Sequence, residues 1–349
     1  MSTTVELAAC QVYVSPETYA SEASFGAMLD RIGRQLEDVR ATRGPEYAYP
    51  CLAVFPEMIG TFLPLVNQFD RVRGAKTTDE ALQRVGRGAL WDIIGAMARG
   101  KTLNSTIAFL LAVAPQVRQL YRQTFSRFAQ KYNVWTVAGS ALLPKNAYGD
   151  LADEFLPADG NIYNTSYIFN PRGRHVGVVR KVNLVPTVED TLGLSPGRKQ
   201  ELWPVSTPFG QVGTLICYDG FRVAHTPNEP GFQPLLAHYD AHDCHIVAHP
   251  AANFWPWEEP WTFQGAKGTA KRHEQWVQEG LLSQMEQTPM KSVQYAVTAQ
   301  LIGQVFDNRF DGRSQILERT ADGARILAEA PRGDVSLDSE TVVLRVVDV

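Results

Sequence analysis

Two spacings of apolar residues divide the chain into elements. Runs that are apolar throughout and bounded by Pro, Gly or polar residues read as buried strands. Such runs cover residues 5–12 (VELAACQV), 51–55 (CLAVF) and 134–140 (VWTVAGS). Apolar residues three or four apart read as helices. Phe25, Met28, Leu29, Ile32, Leu36 and Val39 predict one over 24–42, with Ser24 as its N-cap. Tyr121, Phe125, Phe128 and Ala129 predict another over 121–132, and helical patches fall at 79–98. Residues 164–170 (NTSYIFN), a Pro-Arg-Gly turn at 171–173 and residues 175–179 form a strand–turn–strand unit. Residues 180–189 read as irregular. Strands over 210–217 (a hairpin arm with Pro204-Val205), 243–248, 292–301, 314–318 and 340–347, and a helix over 276–285, complete the pattern. Strands alternate with helices in the first third and hairpins recur later, which predicts a layered α/β protein with a mixed sheet. No internal repeat or Ser/Gly linker is visible, so one domain over 1–349 is expected.

Composition narrows the classes. A hydrophobic share of 44% and a charged share of 20% over 349 residues suit a globular protein with a sizeable core. A formal net charge of −4 offers no basic stripe for nucleic acid. The longest apolar stretch, IAFLLAVA at 107–114, is far short of the roughly 20 residues a bilayer span needs. The opening MSTTVELAACQVYV has no basic segment followed by an apolar one, so neither a secretory signal nor a membrane span is expected. Cys10, Cys51, Cys217 and Cys244 form no CxxC pair and no disulfide framework, which points to a reducing, cytoplasmic compartment.

Three apolar runs end in complementary chemistry. Glu57 follows CLAVFP, Lys181 follows VGVVR, and Cys217 follows VGTLI. Functional groups gather at the carboxyl ends of strands in open α/β sheets. A Cys thiolate is a nucleophile, a carboxylate can take and return its proton, and an ammonium can stabilise an oxyanion. The backbone N–H of Tyr218 adds a second oxyanion donor, and together these are the roles of acyl transfer through a thioester. Each residue taken alone has an ordinary structural reading. A strand-end Cys is a small buried hydrophobe, a Glu after Pro starts a helix, and a Lys after Arg lies on a solvated face or in an ion pair.

The segments FPEMIG (55–60), RKVNLVPTVED (180–190) and LICYDGFR (215–222) resemble, in order, the glutamate, lysine and cysteine motifs of the nitrilase, or carbon–nitrogen hydrolase, superfamily. LAACQV, NTSYIFNPRGRHVG (164–177) and FDGRSQILERTADGARIL (310–327) resemble its first strand, the hairpin before its lysine and its late strand and hairpin. The resemblance implies an αββα four-layer sandwich of two mixed sheets covered by helices, and homodimers or higher oligomers that extend it. It implies Glu57 as general base, Lys181 as oxyanion stabiliser and Cys217 as nucleophile, with no cofactor and no metal. Glu189 matches a second glutamate that orients the lysine or the substrate, against the alternative of a loop carboxylate paired with Arg180 or Arg198. The expected activity is hydrolysis of a non-peptide carbon–nitrogen bond in a small molecule, foremost a carboxamide. Nitrile or N-carbamoyl amino-acid hydrolysis, and a catalytically idle binding or scaffold subunit, are the alternatives. Two departures bear on the substrate. Tyr218-Asp219 stands where nitrile-cleaving members carry Trp-Glu, which tilts the reading toward amides, and residues 290–293 (MKSV) replace a Glu-Asn pair.

Other clusters compete for function. His238, His242, Cys244, His245 and His249 have spacing that invites zinc, but a strand would turn Cys244 and His245 to opposite faces. His249 ends a strand, so it is expected to line the pocket or to be a hydrogen-bonded structural residue. Trp255, Trp257 and Trp261 form a pocket wall, a dimer contact or a packed loop, and Asn253 and Trp255 join the candidate substrate contacts. Two stretches resemble nothing specific: a helical insertion at 61–115, expected as a lid or an interface rather than extra core, and a variable Trp-rich segment at 254–290.

Overall fold

The computed structural model describes residues 3–349 apart from 43–48, 89–92, 94, 98–99, 101, 187, 227 and 261–269. Its strands are β1 (Thr4–Val14), β2 (Cys51–Val54), β3 (Trp135–Val137), β4 (Ala141–Leu143), β5 (Tyr163–Phe169), β6 (His175–Arg180) and β7 (Val205–Thr207). They continue with β8 (Gly210–Thr214), β9 (Cys244–Ala251), β10 (Tyr295–Val305), β11 (Asn308–Phe310), β12 (Gln315–Thr320), β13 (Gly323–Glu329) and β14 (Thr341–Asp348). The path β4-β5-β3-β2-β1-β10-β9-β8-β7 runs through a single curled sheet of mixed direction. Its two halves face each other as the inner layers of an αββα sandwich. They join where Val12, Tyr13 and Val14 pair in parallel with Leu301, Ile302 and Gly303.

Alternation explains why β1 reads as one apolar run. Val5, Leu7 and Ala9 face one hydrophobic cluster, whereas Ala8, Cys10 and Val12 face the other. A strand buried on both faces loses the polar half of its period. The outer cluster is closed by α1 (Glu22–Ala41), through Phe25, Met28, Ile32 and Leu36, and by the 27-residue α2 (Ser105–Lys131). Phe125 and Phe128 of α2 meet Phe55 edge-on at 5.1 and 4.9 Å, a favoured aromatic geometry that fixes the end of β2 two residues before Glu57.

Several expectations change. The N-cap of α1 is Ser21, whose Oγ accepts the Ser24 N–H at 3.0 Å, so Ser24 lies inside the helix. The helix expected over 121–132 begins at Ser105 and runs through Pro115, so IAFLLAVA is its first half. The helix expected over 276–285 is two, α3 (Arg272–Glu279) and α4 (Leu281–Gln287), broken at Gly280. Of the patches at 79–98, a helix spans Thr78–Arg87, and residues 89–92, 94 and 98 lie outside the described residues. Part of the stretch 61–115 adds to the core, the reading the sequence disfavoured. Leu63, Leu65, Val66, Val85, Ile107, Phe109, Leu110 and Leu111 belong to the outer core.

Gly303 sits at the junction of the half-sheets with φ +113°, and a Cβ there would lie 2.1 Å from the Val14 carbonyl oxygen. A side chain at that position is strained in φ and clashes with backbone. Gly303→Ala is expected to cost about 2 kcal/mol or more, read as a lowered urea midpoint at unchanged m.

Candidate active site

Glu57, Lys181, Glu189, Cys217 and Tyr218 line one cavity. Each comes from a different local device. Glu57 follows β2, and its neighbour Met58 adopts φ +64° with its N–H donating to Ser140 Oγ at 2.9 Å. Lys181 follows β6, its N–H donating to the Asn164 carbonyl at 2.9 Å. Cys217 does not end a strand. β8 stops at Thr214, and Cys217 opens a 3-10 turn over Cys217–Gly220 in the left-handed region, at φ +46°. That conformation is uncommon for a residue with a Cβ and is kept only where surroundings impose it.

The surroundings are specific. The Cys217 carbonyl accepts a hydrogen bond from His249 Nε2 at 2.8 Å, and His249 Nδ1 accepts from the Thr298 hydroxyl at 3.0 Å. Burial pushes the imidazole down to about 4, so it is the neutral donor to that carbonyl. The ring packs where a Cβ on Gly220 would lie, 2.5 Å from Nε2, so only glycine fits there. The Asp219 carboxylate, buried in the same turn, accepts backbone N–H groups of Val182 (3.1 Å), Asn183 (2.7 Å) and Ile216 (3.4 Å). It ties the cysteine turn to the segment that carries Lys181. Burial pushes Asp219 up to about 7 against these N–H groups and Lys181. Asp219 thus faces backbone rather than the cavity, which gives it a different use from the substrate reading drawn from its position after Tyr218.

Lys181 is the electrostatic hub. Its Nζ donates to Glu57 Oε1 at 2.8 Å and to Glu189 Oε2 at 2.5 Å, so Glu189 pairs with the lysine and not with Arg180 or Arg198. Arg180 instead pairs with Asp150. Asn164 Nδ2 donates to Oε1 of both glutamates at 2.8 Å, and Glu189 Oε2 also accepts the Val185 N–H at 2.9 Å. Burial pulls the ammonium down, but Glu189 and Glu57 outweigh it and hold its pKa well above the usual lysine value. Burial raises Glu57 above the ordinary carboxylate range, with Lys181 opposing and Glu189 adding to the rise. The Cys217 thiol is pushed up by burial and by Glu57, more than Lys181 draws it down. At neutral pH it is a protonated thiol beside Glu57. Its Sγ lies 3.6 Å from the Ala252 carbonyl.

Of the remaining candidates, Trp255 lines the cavity and His249 and Asn253 do not. His249 holds the cysteine turn from behind. Asn253 donates to the Trp255 and Asp311 carbonyls at 2.5 Å and accepts from Arg272 Nε at 2.8 Å. Arg272 was not legible as a site residue, because AKRHEQW reads as a solvated helix start. It is 4% exposed, lines the cavity, and its guanidinium lies 5.5–5.9 Å from the centroids of Phe221, Trp255 and Trp276. Burial pushes it down to about 9, with Cys217 and Glu279 drawing it back up. His225 also lines the cavity, stacked on Tyr218 at 4.0 Å. The histidine segment converges on nothing. His238 Nε2 meets the Leu202 carbonyl, His242 Nδ1 meets the His238 carbonyl, and Cys244 is in the core. Among the described residues no group of three or more His, Cys, Asp or Glu is placed to hold a metal ion. Trp261 lies outside the described residues. No helix among them is long and apolar enough to cross a membrane.

A thiol, a carboxylate and an ammonium in one buried cavity are the groups that acyl transfer through a thioester requires. Comparison with known proteins agrees in kind. The family model for carbon–nitrogen hydrolases matches residues 51–257. Omega-amidase NIT3 of Saccharomyces cerevisiae is 34% identical over 104 residues, 28% of this chain and 31% of that protein. Hydrolase C26A3.11 of Schizosaccharomyces pombe is 37% identical over 68 residues, 18% of this chain and 20% of that protein. These matched stretches therefore span less than a third of either curated relative. Among solved structures, yeast Nit3, a member of branch 10 of the nitrilase superfamily, superposes with TM-score 0.53 at 18% identity over 99% of this chain and 90% of its own. An amidase of Nesterenkonia sp. AN1 with acrylamide added at its active-site cysteine gives 0.51 at 14% identity over 99% and 93%. The chain belongs to the carbon–nitrogen hydrolase family.

Proposed function

We propose that this chain hydrolyses a carboxamide with an apolar acyl group, through a thioester on Cys217. The observation that carries the reading is the buried Lys181 held between Glu57 and Glu189 in the cavity that Cys217 lines. An ammonium has three donor hydrogens. Two are directed at carboxylates, and the third is available for a developing oxyanion. The N–H groups at the first two positions of a helical turn have no acceptor within it, so the Tyr218 N–H supplies the second donor. Glu57 Oε1 already accepts from Lys181 and Asn164, which leaves Oε2 as the base.

In the first half-reaction the thiol proton passes to Glu57 as sulfur bonds to the carbonyl carbon, and the carbonyl pair moves onto oxygen. The high pKa of the buried thiol favours transfer during attack over a standing thiolate. Glu57 then protonates the nitrogen, the C–N bond breaks with its pair on nitrogen, and ammonia or an amine leaves. In the second, Glu57 takes a proton from water, the hydroxide attacks the thioester, and the departing sulfur recovers that proton. The acyl group is read as apolar because Leu142, Val185, Val188, Leu192, Leu194 and Phe254 wall the cavity. The acrylamide adduct of the Nesterenkonia amidase supports an amide-sized ligand on the cysteine. A single domain over 1–349, a homodimer and a cytoplasmic setting remain part of the proposal on the family resemblance.

Incubation with a panel of primary amides, nitriles and N-carbamoyl amino acids should give ammonia plus acid from the amides and an acyl mass on Cys217. Turnover of nitriles or N-carbamoyl compounds alone would overturn the carboxamide reading. Failure of Cys217 to react faster than Cys10, Cys51 and Cys244 with a small electrophile would favour a binding subunit. Cys217→Ala is expected to lower kcat by at least about 10³-fold with the fold intact, and Lys181→Met by at least about 10²-fold.

The pH profile should follow Glu57. Its carboxylate is the active form and its pKa is raised, so kcat/KM should fall as pH drops through a value above 4.5. Glu57→Gln should abolish that limb. Alkylation of Cys217 should show no plateau near pH ~8.5, where a free thiol titrates; such a plateau would contradict the protonated resting state.

A further inference from the structure

Asn164 lies on β5, 1% exposed, and lines the cavity. Its Nδ2 donates to Glu57 Oε1 and Glu189 Oε1, both at 2.8 Å. An amide nitrogen carries two hydrogens, and ionised carboxylates only accept. Both hydrogens are therefore committed, and the side chain cannot flip without setting its oxygen against two carboxylates. The oxygen that this orientation turns away, Oδ1, is buried and has no hydrogen-bond partner among the described residues. Buried polar atoms nearly always have one, and an orphan beside reactive groups calls for an account.

We propose that Asn164 Oδ1 accepts an N–H of the scissile carboxamide, which makes Asn164 a specificity-determining residue of the site. The inference rests on the amide-hydrolase reading above. The polar groups around it have other tasks: Lys181 and the Tyr218 N–H meet the carbonyl oxygen, and Glu57 handles the proton. A primary amide brings two N–H donors that need an acceptor once water is excluded, and Oδ1 is a neutral acceptor held rigidly by two ionic neighbours. One N–H on Oδ1 also sets the nitrogen's rotation. After sulfur attack the nitrogen becomes pyramidal, and its lone pair is turned from Oδ1 toward Glu57, which delivers the proton as the C–N bond breaks. A nitrile or an ester has no N–H at this position and gains nothing from the contact.

The test compares a primary amide with the methyl ester of the same apolar acid. Asn164→Leu removes both the clamp on the glutamates and the acceptor. Because the clamped Glu57 also protonates the leaving nitrogen, Asn164→Leu is read in binding as well as in rate. On the Cys217→Ala background, where no proton moves, loss of the acceptor weakens binding of the amide and leaves that of the ester unchanged. The amide-to-ester ratio of kcat/KM should fall at least about tenfold relative to wild type. This ratio is independent of the fraction of correctly folded enzyme. Asn164→Ser, if better folded, should give a fall in the same direction. A second measurement keeps Asn164 intact: by calorimetry, Cys217→Ala protein should bind the primary amide more tightly than the matching N,N-dimethylamide or ester. An unchanged ratio, or equal binding, overturns this inference alone. Hydrolysis of neither substrate by wild type, with no adduct on Cys217, overturns the amide-hydrolase reading and this inference with it.

Discussion

An ammonium with 1% of its surface exposed must find its counter-charge inside the protein, and Lys181 finds two. Removing one partner of a buried ion pair typically costs about 3–5 kcal/mol, because the other charge is left without water or a partner. The rest of the site can be understood as what is needed to keep this arrangement. Two carboxylates on one ammonium leave an excess negative charge. Asn164 reduces its cost with two neutral donor hydrogens, and Val185 adds a backbone N–H. The described residues between Lys181 and Glu189 form no helix or strand, and Glu189 returns to the lysine eight residues before it.

Cys217 is held by a separate set of contacts that meet this hub through Asp219. His249 fixes the Cys217 carbonyl, and Asp219 binds N–H groups on both sides of the site. The left-handed φ of Cys217 thus sits among identifiable contacts, and the turn it opens lines the cavity through Cys217 and Tyr218. None of these residues needs to touch a substrate. They set the distance between the thiol and the lysine, which is where an error of one ångström costs most.

The outline of the fold and several of the side chains that meet in the cavity could be read from the chain, because an apolar run and the residue that follows it are local signals. An apolar run buried on both faces is visible as a run, and Glu57, Lys181 and Cys217 each follow one. Glu189 is legible only through the resemblance of its segment to the lysine motif, which leaves a loop carboxylate as the alternative. What could not be read depends on register or on burial that overrides local preference. Pro115 reads as a helix breaker, yet α2 passes through it with Ile107, Leu110, Leu111 and Val117 buried on the core. Ser24 and Ser21 are equally good caps by type, and only the backbone geometry selects Ser21. Asn164 reads as an ordinary strand residue, and its neighbour Glu57 is 107 positions away. Arg272 reads as a solvated charge until three aromatic rings and Asn253 bury it. His249 reads as a strand-end residue, but β9 runs on to Ala251, and the ring lies behind the cysteine turn.

The apolar wall of the cavity acts on the charges as much as on a ligand. Burial raises both Cys217 and Glu57, so it protects the thiol from standing as a thiolate and brings the carboxyl nearer to the pKa of a useful proton carrier. The same exclusion of water strengthens the pull of Lys181 on any negative charge that forms in the cavity. A more polar cavity would ease the cost of burying Lys181 with its two carboxylates and weaken both effects. The site therefore depends on keeping an expensive ion cluster dry. That is a reason for the cluster to be neutralised by many fixed donors, Asn164 among them, rather than by solvent.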